Sequence, residues 1–212
     1  MNLLTRLREH PDAPRWNHSA SDRLNPEDLM ALDRLRDDLA TKRGARDAEP
    51  SPAIVQRIAA LREKVPSFRK RLHGLSDIAA EWHRIPTMSR EDIAISVQEL
   101  VPDDADLENL IVYRTAGTSG HALLVPHHAR AAASYQPLIE HALARYGVSP
   151  QFDPDTVACF LVGAQARTVT YPTILSAWAG AGFAKLNLRP GDWPREHSAH
   201  RYFEAMSPRL LT

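Results

Sequence analysis

The chain has 212 residues, 43% hydrophobic and 25% charged, which are the proportions of a globular protein large enough to bury a substantial core. Basic and acidic side chains number 26 each, so zero net charge removes any global reason to expect nucleic acid or an anionic membrane as partner. The opening Met1-Asn2-Leu3-Leu4-Thr5-Arg6 lacks the apolar core of a signal peptide, and no stretch reaches bilayer-spanning length, which predicts a cytoplasmic protein.

The first hundred residues read as helices. Asn25-Pro26-Glu27-Asp28 combines a capping side chain, a first-turn proline and two acids at the positive end of the dipole. Leu29, Leu32, Leu35 and Leu39 then share a face, and Gly44 is the expected stop. A polar loop over 44–51 leads to a second amphipathic helix through Ile54, Ile58, Leu61 and Val65, ended by Pro66. Ser89 and Asp92 have capping-box spacing and predict a short helix there. Arg15, Trp16 and His18 fall in what reads as an exposed N-terminal arm.

From about residue 109 the pattern changes. Leu110–Tyr113 and Ala122–Val125 are short strand patterns around a Gly/Ser/Thr turn. A helix is predicted over 128–146, kinked at Pro137 and stopped by Gly147. Val157–Val162 is apolar throughout, as strands buried on both faces are. A helix over 172–181, a strand over 183–188, a helix over 195–206 and the start of a strand at Arg209 complete the alternation. The expected fold is therefore α/β: a mainly helical region, 1–108, followed by a mostly parallel sheet with flanking helices, 109–212. The last strand reads as cut at Thr212, and an unfinished sheet edge invites pairing with a second copy as a homodimer.

Few residues suggest chemistry. Cys159, the single cysteine, sits inside the apolar strand and reads as a small buried hydrophobe. His127 and His128 are adjacent on a strand and point to opposite faces. His197 and His200 have a workable ligand spacing, but no Cys or acid pattern completes a set, so no metal site is expected. Gln165, Arg167 and Tyr171 follow the buried strand, where parallel sheets place their ligands.

The segment Tyr113-Arg114-Thr115-Ala116-Gly117-Thr118-Ser119-Gly120-His121-Ala122 is the most informative. Glycines let main-chain N–H groups converge on an anion, and hydroxyls add donors that suit phosphate oxygens. Its spacing is neither the Walker nor the dinucleotide-binding pattern, and a plain hairpin turn can have the same composition. It resembles the Ser-Ser-Gly-Thr-Thr-Gly-Lys-Pro loop of the adenylate-forming superfamily, the acyl-CoA synthetases and their relatives, in particular the phenylacetate-CoA ligase branch. Ile85-Pro86-Thr87-Met88-Ser89-Arg90-Glu91-Asp92-Ile93 is similar to that family's Leu-Pro-Phe-Thr-Thr-Lys-Glu-Asp-Leu segment. Tyr146-Gly147-Val148, Val157–Val162 and Gly180-Ala181-Gly182 match its later landmarks, and the likeness runs from about Phe68 to Thr212.

The resemblance implies that Gly117, Thr118, Ser119 and Gly120 wrap the β- and γ-phosphates of ATP. Thr115 keeps the hydroxyl of a family serine and Ala116 loses that of a second. His121 stands at the family's lysine and Ala122 at its proline. It further implies ATP, Mg²⁺ and coenzyme A as co-substrates, a small carboxylic acid, possibly aromatic, as substrate, and an acyl pocket near Gln165 and Tyr171. The adenine-binding segment, the ribose-binding acid and the catalytic lysine of the family lie beyond the region matched, so the expected role is that of an N-terminal portion, inactive alone. Two alternatives stand beside it: a non-catalytic module that binds nucleotide or a partner, and an adenylating enzyme of the acyl-protein synthetase type.

Overall fold

The computed structural model describes residues 2–41, 50–94, 96–115 and 123–212. In chain order the helices are α1 (Leu3–Glu9), α2 (Pro26–Thr41), α3 (Pro52–Lys64), α4 (Pro66–Arg71), α5 (Arg90–Ala94), α6 (Ala129–Ala133), α7 (Tyr135–Ala144) and α8 (Ser198–Met206). The strands are β1 (Leu110–Arg114), β2 (Leu124–His128), β3 (Val157–Gly163), β4 (Tyr171–Leu175), β5 (Ala181–Asn187) and β6 (Leu210–Leu211). N-terminal helices and a four-stranded mixed sheet with flanking helices make an α/β architecture. Contacts group Met1–Lys42 with Arg130–Thr212 as one unit and Arg43–Ala129 as another. The boundary expected at 109 falls inside the second unit. Among the described residues no helix is long and apolar enough to cross a membrane.

The first unit is built on the sheet β4-β5-β3-β6. β3 runs parallel to β5 and to β6, while β4 is antiparallel to β5. The helix expected over 172–181 is thus corrected to a strand followed by a 3-10 turn, Ser176–Trp178. Tyr171, Thr173 and Ile174 favour extended backbone, and an edge strand tolerates Pro172 because one side of it needs no N–H. Ala179 and Gly180, both with positive φ, turn the chain back into β5. The long helix expected over 128–146 is two: α6 ends at Ala133, and α7 restarts so that Pro137 occupies its first turn, where a missing N–H is harmless. Gly147, at φ 73°, ends α7 as expected, with the Val148 N–H donating to Leu143 O. The stop expected at Gly44 lies outside the described residues.

Strand alternation sorts the core of this unit onto two faces. Phe160, Ala184 and Leu186 pack with Leu3, Leu7, Trp193 and Tyr202. Tyr202, fully buried, stacks on Phe160 at 5.6 Å and donates its hydroxyl proton to Leu7 O at 2.8 Å. On the other face Ala158, Cys159 and Ala181 pack with Leu175 and Trp178, and Phe152 stacks on Trp178 at 4.5 Å. An extra residue in β3 between Val157 and Cys159 lets Ala158 and Cys159 both join this second cluster.

Two features of the first forty residues escape a local reading. α1 buries Leu3 and Leu7 in the core. The arm after it is stitched down: Arg15 N–H donates to Asp192 O, Asn17 and His18 N–H to Thr170 O, and Thr170 Oγ1 to Arg15 O. Asp12 is buried and accepts from Ser198 Oγ at 2.6 Å, Arg201 at 2.7 and 3.0 Å, and Arg195 at 3.1 Å. The Arg201 hydrogen bonds, with Ser198, hold its carboxyl well below the usual carboxylate range. A depressed folded-state pKa lends stability that is complete above the unfolded value of about 4 and drains away as pH falls below it. Asp12→Asn is therefore expected to melt several degrees below the parent at pH 7, with the gap closing below about pH 4; thermal melts across that range check it.

In the second unit α3 and α4 meet at Val65, which caps α3 through its N–H to Leu61 O and is buried beside Pro66. Leu72, Leu75 and Ile78 bury further apolar surface. α5 opens with a reciprocal capping box: Ser89 N–H donates to Asp92 Oδ2 at 2.8 Å and Asp92 N–H to Ser89 Oγ at 3.2 Å. Asp92 also pairs with Arg71 at 2.9 Å, which ties α5 to α4.

Candidate functional site

The Gly/Ser/Thr segment leaves the antiparallel pair β1–β2, whose register runs from Leu110 opposite His128 to Arg114 opposite Leu124. Thr115 and Leu123 extend this neck by one step: Thr115 N–H donates to Leu123 O at 2.9 Å, and Leu123 N–H donates to Thr115 Oγ1 at 3.0 Å. The threonine oxygen is held as an acceptor, so its hydroxyl proton is left to point at something else. Gly117, Thr118, Ser119, Gly120 and His121 lie outside the described residues. On β2, His127 turns its ring edge-on to Tyr113 at 5.0 Å and its Nδ1 lies 3.1 Å from Val125 O.

Gln165 and Tyr171 belong to the first unit, at the carboxyl end of β3 and the start of β4. The main chain of Gln165 is clamped by one side chain: its N–H donates to Asn187 Oδ1 at 2.9 Å and its carbonyl accepts from Asn187 Nδ2 at 3.0 Å. Asn187 Nδ2 also donates to Asp192 Oδ2, and Asn187 O accepts from Trp193 Nε1 at 2.8 Å. Asn187 is 3% exposed, so this network fixes the loop after β3 from inside the protein. Arg167 is exposed. Tyr171 is half-buried, with His18 edge-on to its ring at 5.9 Å and Phe183 at 6.1 Å.

Beside Tyr171 stands a residue that sequence reasoning passed over. Lys185 pairs in register with Tyr171 on one side and Leu161 on the other, so the three form one row on one face of the sheet. Its signal was available: a lysine inside an otherwise buried strand is a departure from the pattern of apolar runs. The Asn187 clamp had no such signal, because asparagine at a strand end is ordinary.

The open clefts are less promising. One of 510 Å³ between α2 and α7 has Arg36 and Glu140 in its wall, and these neutralise one another at 2.8 Å. One of 460 Å³ beside α4 is lined by the pairs Lys70–Glu99 and Arg71–Asp92. Cys159 is 3% exposed, and burial pushes its thiol up to about 11, which leaves it unreactive near neutrality. His197 and His200 face Glu196 and Glu204 singly, and no group of three metal-ligating side chains occurs among the described residues. Comparison with protein-family models, with curated proteins and with solved structures gave no match to this chain.

Proposed function

We propose that this chain is the phosphate-gripping portion of an ATP-dependent acid–thiol ligase of the adenylate-forming type, nearest the phenylacetate-CoA ligase branch. The supporting observation is the closed neck at Thr115 and Leu123, the described residues that flank the Gly/Ser/Thr stretch in sequence at the ends of an antiparallel pair. Its two hydrogen bonds fix Thr115 and Leu123 relative to one another before any ligand arrives, which lowers the entropy cost of binding at these positions.

In this reading the carboxylate oxygen of an acid attacks the α-phosphorus of MgATP, and the bond to the β-phosphate bridging oxygen breaks to release pyrophosphate. A thiol such as coenzyme A then takes the acyl group from the adenylate and AMP leaves. The hydroxyls of Thr115, Thr118 and Ser119 and the N–H groups around Gly117 and Gly120 hold the β- and γ-phosphates, so that charge developing on the leaving pyrophosphate meets fixed donors. Mg²⁺ offsets phosphate charge. His121 donates where the family uses lysine, and less strongly near neutrality because imidazole is only partly protonated there.

The test is acid-dependent exchange of labelled pyrophosphate into ATP by the protein in its full natural length, over aryl and fatty acids. Exchange is expected with at least one acid, and Thr118→Ala with Ser119→Ala should cut it by about 100-fold or more, the scale of a lost oxyanion donor. A panel that gives no exchange overturns the ligase reading. His121 and Ala122 favour one second reading, a nucleotide-binding module without turnover, which requires ATP binding in the absence of exchange. A product that forms without coenzyme A would move the protein to the acyl-protein synthetase type.

A further inference from the structure

The outward face of α7 is apolar. Tyr135, Leu138 and Tyr146 are 66%, 44% and 86% exposed, and Ala142 between them is exposed as well. Their spacing of three, four and four residues sets them in one stripe, within an arc of about 80° at 3.6 residues per turn. Arg145 keeps helical φ and ψ and the Tyr146 N–H donates to Leu143 O at 2.9 Å, so Tyr146 stays in line just beyond the helix end. Val148, 46% exposed and bonded through its N–H to the same Leu143 O, adds to that end. The inward face is already engaged: Gln136 and Pro137 are buried, and Ile139 packs on the cluster of Cys159 and Trp178. Glu140, the one Asp, Glu, Lys or Arg between Tyr135 and Ala144, turns to Arg36 at 2.8 Å. A helix that is apolar on both faces is of the kind proteins bury on both. Scattered apolar residues need no partner, but a continuous stripe with two tyrosines marks a contact surface.

The stripe matches itself when reversed. Positions 135 and 146, and 138 and 142, are symmetric about residue 140. An antiparallel copy therefore sets Tyr135 against Tyr146 and Leu138 against Ala142, a large side chain facing a small one. The same register brings the Arg145 guanidinium, which has no hydrogen bond or ion pair among the described residues, beside the ring of Tyr135 in the other copy. A parallel copy would align the two helix dipoles and set Arg145 against Arg145. We propose that α7 is a self-association surface, on which a second copy of this chain packs its own α7 antiparallel about a two-fold axis near residue 140. Two tyrosines at these exposures offer about 300 Å², and the smaller side chains bring each copy to on the order of 500 Å². The pair then buries about 1,000 Å², the lower bound of a specific interface, so the dimer is a weak one. An anionic bilayer or an acidic helix fits worse, because both want several free cations along the stripe. Arg145 is one, but Arg130 lies 3.7 Å from Asp28 and His141 is half-buried. This is a different surface from the sheet edge at β6, and it does not rest on the ligase reading.

Sedimentation equilibrium of the 212-residue chain, from about 5 to about 500 μM, tests the surface without nucleotide or acid. A monomer–dimer equilibrium with a Kd of roughly 10–100 μM is expected. Leu138→Glu should weaken it about tenfold or more, because the dimer then buries two unpaired carboxylates. Tyr146→Glu, at a side chain 86% exposed in the monomer, should do the same while far-UV circular dichroism stays that of the parent. A chain that remains monomeric up to about 500 μM overturns the proposal. So does a dimer that survives both glutamate variants; if it is then lost on Leu211→Lys, the β6 edge is the interface instead. Phosphatidylglycerol vesicles that sediment a monomeric chain, and release it on Leu138→Glu, would assign the stripe to a membrane and overturn the proposal as well. Register gives a readout that needs no disruptive variant. Mixed under mild oxidant, Leu138→Cys and Ala142→Cys chains should form a disulfide with each other, while Cys159, 3% exposed, stays reduced. Absence of that crosslink at about 500 μM overturns the antiparallel pairing and with it the proposal.

Discussion

Leu7→Ala should lower the free energy of unfolding by about 2–5 kcal/mol, read as a fall in the urea midpoint at unchanged slope. Leu7 is fully buried, on a helix of seven residues that is far too short to persist by its own hydrogen bonds. α1 stays in place because Leu3 and Leu7 press onto the backbone of β5 at Gly182. A Cβ at Gly182 would lie 2.9 Å from Leu3 Cδ2 and 3.0 Å from Leu7 Cδ1, so the approach depends on glycine. Truncating Leu7 opens a cavity there and loosens the carbonyl that receives the Tyr202 hydroxyl. Gly182→Val attacks the same contact from the other side, at about 1–3 kcal/mol for overpacking. A loss below about 1 kcal/mol for Leu7→Ala would mean that α1 is an appendage, not a wall of the core.

Elements whose cause is local were legible in the sequence. The Asn25 and Ser89 caps, the proline stop after α3 and the glycine stop after α7 each act within a few residues, and each stands where it was read. Asp28 returns the favour to Asn25 in a reciprocal pair, a detail of the same local kind. Elements whose cause is distant were misread. Pro172 reads as a helix start until β5 supplies the edge that makes it a strand residue. Arg15–His18 reads as a free arm because its partners, Thr168, Thr170 and Asp192, lie more than 150 residues away. The candidate site divides in the same way. Its loop is visible as composition, and Lys185 as a charge in an apolar strand. The clamp of Asn187 on Gln165, and the row that seats Lys185 beside Tyr171, come from strand register, which the sequence fixes only through pairing.

The second large effect belongs to Glu140, which is expected to cost about 2–3 kcal/mol on replacement by alanine. Its carboxylate accepts from Arg36 Nε at 2.8 Å and Arg36 NH2 at 2.9 Å, a two-pronged pair joining α2 to α7. It also accepts from Trp178 Nε1, and Trp178 is 4% exposed. Arg36 in turn donates to Ala177 O, so one carboxylate organises two helices and the turn that follows β4. Alanine leaves a guanidinium and an indole N–H without their acceptor, and the desolvation of both is then uncompensated. A fully buried pair broken in this way costs about 3–5 kcal/mol; here 27% of each charged side chain reaches water, which lowers the figure. Glu140→Gln keeps one acceptor oxygen but no charge, and should fall between alanine and the parent. A double cycle with Arg36→Leu separates the ion pair from the indole bond. If the ion pair dominates, Glu140→Ala costs little more once Arg36 is gone. If the buried indole N–H dominates, most of the loss persists in the Arg36→Leu background.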